Sequence, residues 1–242
     1  MATSSSVASI AAQKAAEKLR IEGMKKGKSQ EQKRVIDFFF DNGDKNGCGC
    51  FSGGCLSKSS SNLSMDEYLK LVQDKCNQLN SRERAIAKIG LDESQIQEIP
   101  PITLSSFVFD DDSDLLIKVD DHTAVSSQYS ITWIFFSATQ IYTYKYIFDT
   151  TSDNTWEITM DFFYSDITCF TTIKAIKEKI DINIAKGCLK SGENVSKNNY
   201  VVDTFKIIVP GTSYSFSMRN SADMEQSLQA AKAMLREKKF SE

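Results

Sequence analysis

Apolar and polar positions change rhythm near Pro100-Pro101. Ahead of that pair, apolar residues recur at helical spacing; behind it, they alternate with polar ones until about residue 218. Two consecutive prolines hold a chain extended, so the pair reads as a boundary. In the first part, Ala8 to Met24 is rich in strong helix formers, but its apolar face is mostly alanine. Gln32 to Phe40 predicts a second helix whose Val35, Ile36, Phe39 and Phe40 need cover. Ser64 stands three residues before Glu67, the spacing of a reciprocal cap in which each side chain takes up an amide at the helix start. That cap opens a helix with Leu69, Val72, Cys76 and Leu79 on one stripe. A continuation, or a restart at Ser81, runs through Ala85, Ile86 and Ile89 to Gly90, a plausible stop.

From Ile102 the texture is β. TLSSFVF and LLIKV predict short strands on either side of the acidic turn DDDSD. QYSITWIFFS, QIYTYKYIFD, WEITMDFFYS and ITCFTTI follow, then IDINIAKGC, NYVVDTFKIIVPG and TSYSFSM, all rich in β-branched and aromatic residues. In QIYTYKYIFD the period of two puts Tyr142, Tyr144, Tyr146 and Phe148 on one face. Ser137-Ala138-Thr139 is short enough for a hairpin turn, and strands so closely joined are antiparallel neighbours. The chain closes on SADMEQSLQAAKAMLREKKFSE, an amphipathic helix. Ser221 is its N-cap, acids fill its first turn and bases its last, and Met224, Leu228, Ala231 and Leu235 form one stripe. The expected fold class is α+β: an N-terminal helical region, then an antiparallel β-barrel or sandwich of about seven strands counted from Tyr129, capped by a C-terminal helix. The expected divisions are 1–63, a helical extension with a basic tract and a Gly/Cys loop; 64–100, helices packing on the barrel; and 101–242, the β domain.

The segment FFYSDITCFTT, residues 162 to 172, resembles the aromatic-Tyr-x-Asp-Ile stretch between strands of bacterial PH-like (pleckstrin-homology superfold) domains. The run SSQYSITWIFFSATQIYTYKY, with FKIIVPG and AKAMLREKK, is similar to an uncharacterised family of bacterial cytosolic proteins, over about residues 90 to 240. The resemblance implies two near-orthogonal sheets closed at one corner by the last helix, and a module that docks lipids, peptides or proteins at loop ends or a sheet edge. It carries over no catalytic or ligand residues. The first hairpin turn, SATQ, lacks the clustered bases of a phosphoinositide site.

Composition changes this picture little. A hydrophobic share of 41% and a charged share of 25% are ordinary globular usage. A net charge of −3 leaves no footprint for nucleic acid, so no nucleic-acid partner is expected. No apolar run approaches the ~20 residues that span a bilayer, and no basic segment leads an apolar one at the N-terminus. The expected location is the cytoplasm. The first twenty residues, Ser- and Ala-rich with Lys14, Lys18 and Arg20 against Glu17, overlap a transit peptide in composition but read first as a terminal helix. From Lys14 to Arg34 there are eight Lys or Arg against three Glu: a solvated face, or an arm drawn to an anionic membrane surface.

Candidate chemistry centres on GCGCFSGGC, residues 47 to 55. Cys48, Cys50 and Cys55 on a glycine-rich loop could wrap a soft metal such as zinc, yet structural zinc takes four ligands. Cys76, the next cysteine, belongs to a helix stripe, and the sole histidine, His122, is farther still. As a calcium loop, DKNGCGCFSGGC puts Cys55 where a bidentate glutamate is required. Acylation beside the basic tract is a further reading, but free thiols on an exposed loop are the expectation, with no cofactor. DDDSD reads as a solvated acidic turn, and neither G-x-S-x-G nor a phosphate-binding glycine loop is present, so no enzyme is expected. The functional expectation is a non-catalytic binding or adaptor module for a protein partner, docking on an exposed sheet edge and the aromatic face of Tyr142, Tyr144 and Tyr146. The alternatives are a metal- or redox-responsive protein using the cysteine loop and a peripheral membrane protein using the basic arm.

Overall fold

The computed structural model describes residues 4–41, 63–92, 94, 96, 99–110, 115–120, 123–186 and 191–240. Their helices are α1 (Ser4–Lys25), α2 (Gln30–Phe40), α3 (Met65–Gln78), α4 (Ser81–Ile89) and α5 (Ala222–Phe240). Their strands are β1 (Ile102–Phe107), β2 (Ile117–Asp120), β3 (Thr123–Ser126), β4 (Gln128–Phe136), β5 (Gln140–Asp149), β6 (Thr155–Phe163), β7 (Cys169–Lys186), β8 (Ser191–Val209) and β9 (Thr212–Met218). The chain divides into two compact units: Met1–Lys70 with Glu178–Asn199, and Leu71–Lys177 with Tyr200–Glu242. Pro100-Pro101, where the rhythm changes, lies inside the second unit.

In the first unit, Gly27 adopts φ 74°, a left-handed conformation that glycine takes without steric cost, and the chain turns there between α1 and α2. Ser29 then caps α2: its hydroxyl accepts from the Gln32 amide at 3.1 Å while the Gln32 side chain accepts from the Ser29 amide at 2.9 Å. An ion pair between Lys25 and Asp37 ties the two helices together. Val35, Ile36, Phe38 and Phe39 are buried, and Phe38 stacks on Tyr68 at 4.7 Å between centroids. The expected patch is therefore covered, with Phe38 inside and Phe40 only half-buried. The Ser64–Glu67 reciprocal cap forms, at 2.8 and 3.2 Å. Lys18 and Arg20 stand exposed on α1, as a solvated basic face would have them.

In the second unit, Asn80 at φ 41° separates α3 from α4, and Gly90 at φ 77° ends α4 with its amide on the Ile86 carbonyl. The strands form a four-stranded sheet in the order β1-β4-β5-β6, a three-stranded sheet β7-β8-β9 and the ribbon β2-β3. Every pairing whose register is established is antiparallel. The Ser137 side chain builds the β4–β5 turn by donating to the Gln140 carbonyl at 2.8 Å and accepting from the Gln140 amide at 3.1 Å.

One core joins the two larger sheets and α5. Ile102, Leu104, Ile134, Phe136, Ile141 and Phe162 come from the four-stranded sheet, and Phe205, Ile207, Phe216 and Met218 from the three-stranded one. Leu228, Ala231, Met234 and Leu235 of α5 complete it. The tail helix is docked along the predicted stripe, with Met234 inside and Met224 at its margin. Burying each such leucine is worth roughly 1.5–3 kcal/mol before conformational entropy is counted. Ser221 caps α5 by accepting from the Met224 amide at 3.2 Å.

Three expectations need correction. No strand pairing among the described residues closes the sheets into a barrel: β6 and β7 each end a sheet, and a 3-10 turn at Tyr164–Asp166 separates them. Among the described residues from Gln128 onward there are six strands rather than seven, because most of ITCFTTI and the described part of IDINIAKGC lie in the single strand β7. TIKAIKEKID, between them, contains no Gly, Pro or Asn to break the period of two. The strand that begins at Ile102 pairs with β4 rather than with its sequence neighbour, and TAVS, unread as a strand, pairs with β2.

Candidate functional site

The tyrosine-bearing face of β5 is where chemistry-bearing side chains converge. Register places Tyr144 opposite Trp133 and Thr159, and Tyr146 opposite Ile131 and Glu157. Tyr142, Tyr144, Tyr146 and Phe148 thus share a face, as the period of two requires. That face is not open. Helix α4 packs on β4 and β5, leaving Tyr144 0% and Tyr146 6% exposed, with Tyr142 half-buried.

Glu157 of β6 holds this helix. It accepts from the Tyr144 hydroxyl at 3.1 Å and from Lys88 at 3.1 Å, and it pairs with the Arg84 guanidinium. Arg84 also lies over the Tyr146 ring, 5.0 Å from its centroid, and the Trp133 indole donates to the Ser81 hydroxyl at 3.0 Å. Burial, then the adjoining carboxylate, pushes the Tyr144 phenol up to about 12. Burial alone would push Glu157 up; hydrogen bonds from Lys88, Arg84 and Tyr144 outweigh it and hold the carboxyl below its ordinary value. A phenol held neutral and a carboxylate held charged make an anchor. Neither is poised near neutrality for proton transfer.

At the C-terminal end of α3, Tyr146 and Phe148 border an open groove of about 370 Å³ with Lys75, Leu79, Asp149 and Asp153. Of the three predicted tyrosines, Tyr146 lines this groove. No known protein family, curated protein or solved structure matches this chain. The PH-like resemblance therefore rests on the motifs that suggested it, and function must be argued from the site.

Cys48, Cys50, Cys55 and His122 lie outside the described residues. Among the described residues no three His, Cys, Asp or Glu side chains come together as metal ligands. Cys76 is half-buried on its stripe, and burial pushes its thiol up to about 11, which favours the neutral form over the thiolate that binds metal. No described helix is long and apolar enough to cross a membrane.

The sheet edge is the more open surface. β6 pairs with β5 on one side and ends its sheet on the other. Trp156 is 41%, Ile158 41% and Phe163 54% exposed, a density of large apolar groups unlike the rest of the sheet. WEITMDFFYS showed the alternation of a strand; its place at an edge depends on sheet order, which no local pattern carries.

Proposed function

We propose that this protein is a non-catalytic binding module that takes an extended segment of a protein partner along the free edge of β6. One observation carries the reading: a nine-residue terminal strand, TWEITMDFF, presents Trp156, Ile158 and Phe163 to solvent. Edge strands are ordinarily blunted by lysine, proline or a bulge, and this one contains neither lysine nor proline. An added strand satisfies the unpaired amides and carbonyls, and its alternate side chains cover the apolar ones. The aromatic face keeps a supporting part: α4, pinned through Glu157, fixes β6 from one side.

Peptides selected on the full-length protein from a random display library test this reading. The expected selection is enriched in alternating apolar residues, protects β6 amides from exchange, and binds a Trp156→Lys/Ile158→Lys variant at least about tenfold more weakly. Selected peptides that bind this variant as well as the parent would refute the edge as the site.

A further inference from the structure

Beside the first half of α5 a cleft of about 320 Å³ opens between the helix and strands β7 and β8. All of its lining residues belong to the second unit, and none comes from β6. It forms where the core runs out. On β7 the period of two puts Thr172 and Lys174 on the face of the core residue Phe170. On β8, Asp203 stands opposite Met218 and on the face of Phe205, both core residues. From α5 come Glu225, Gln229 and Lys232, a stripe at i, i+4 and i+7 beside the buried Leu228, Ala231 and Leu235.

Four charged side chains thus border one cleft, two of each sign, and they do not neutralise one another. Among the described residues, Lys174, Lys232 and Asp203 have neither an ion-pair partner within 4.0 Å nor a side-chain hydrogen bond. Glu225 accepts from the Asn220 side-chain amide at 2.9 Å. Asp203 and Lys232 are half-buried, while Lys174 and Glu225 stand at the exposed margin.

Partly desolvated charges without partners cost free energy, which a ligand carrying the matching charges recovers. Equal numbers of lysines and carboxylates favour a molecule that bears both signs over a simple anion or cation. Ile173, Met218 and Leu228 give the lining an apolar part, against which an aliphatic side chain can lie. The volume stands at the lower end of the ~300–1,000 Å³ of small-molecule pockets, which suits one amino acid rather than a peptide. We propose that this cleft binds a free α-amino acid with an apolar side chain. The lysines take its carboxylate, and Asp203 and Glu225 take its ammonium group. This function is separate from strand addition at β6.

Titration calorimetry of the full-length protein with L-leucine tests the proposal. Saturable binding is expected. Two analogues each lack one charge: 4-methylpentanoate has no ammonium group and 3-methylbutylamine has no carboxylate. Each should bind at least about tenfold more weakly than leucine. An Asp203→Asn/Lys232→Gln variant keeps the net charge and should bind leucine at least about tenfold more weakly. An Asp120→Asn/Lys70→Gln variant, equally neutral in net charge and outside the cleft, should bind as the parent does. Absence of saturable binding in the parent, an analogue that binds as tightly as leucine, or equal loss in the two variants overturns the site. If the cleft variant does not fold, the parent's amide shifts decide: leucine-induced changes at Thr172, Asp203 and Gln229 support the site, and changes confined elsewhere refute it. The Trp156→Lys/Ile158→Lys variant should bind leucine as the parent does, so the two readings stand or fall separately.

Discussion

Replacing Glu157 probes the α4 anchor quantitatively. Tyr144 is fully buried, and its hydroxyl donates to Glu157. Glu157→Ala leaves that hydroxyl without this acceptor, at a cost of about 1–3 kcal/mol. The same change removes two ion pairs whose cations, Arg84 and Lys88, keep side-chain exposures of 48% and 56%. Solvent screening limits each to about 0.2–1 kcal/mol. The expected total is about 1.4–5 kcal/mol, or a fall in Tm of roughly 3–20 °C for a chain of this length. Glu157→Gln keeps an acceptor for the phenol and loses only the charge, so it should cost about 1 kcal/mol.

The pH dependence follows from the same residue. Its folded value lies below the ordinary 4.5, so its contribution is present above 4.5 and is lost as pH falls through the lowered folded value. Thermal unfolding at pH 7 and at pH 3 should therefore show the gap between parent and Glu157→Gln closing in acid. A double-mutant cycle with Tyr144→Phe should give a coupling of at least about 0.5 kcal/mol. An alanine variant that melts with the parent at pH 7, or a cycle that is simply additive, would refute the anchor.

Three further outcomes are expected. Leu235→Ala in α5 removes a side chain that is 5% exposed in the shared core and should cost about 2–5 kcal/mol in denaturant unfolding; a loss below about 0.5 kcal/mol would mean that the helix is not docked. In pulsed alkylation at pH 8 read by peptide mass mapping, exposed Cys169 should label well before Cys76, whose thiol is pushed up to about 11. Equal labelling would contradict the burial of the α3 stripe. Gly211→Ala places a side chain at φ 83° in the β8–β9 turn, where nothing lies within 4 Å, so strain alone should cost about 1 kcal/mol. An unchanged midpoint would refute that conformation.

Local signals were legible along the chain, and pairings between distant segments were not. The Ser64–Glu67 cap, the stop at Gly90, the Ser137 turn and the α5 stripe all depend on residues within a few positions of one another, and each has a geometric counterpart. The tyrosine face illustrates the limit. The period of two assigned Tyr142, Tyr144 and Tyr146 to a common side, but α4, more than fifty residues away, decides that this side is covered. Phe38 was missed because three consecutive phenylalanines blur the helical period. The grouping of Lys145, Lys177 and Lys206 around one cavity was invisible for a related reason: they stand on three strands of two sheets, and only the packing of those sheets brings them together.

The first unit is discontinuous in sequence: Glu178–Asn199 belongs with Met1–Lys70 although more than a hundred residues of the other unit intervene. During synthesis, the N-terminal helices leave the ribosome long before the second segment of their unit exists. At ~5–20 residues per second that interval lasts at least several seconds. Neither unit can be inherited, cleaved or exchanged as a simple block.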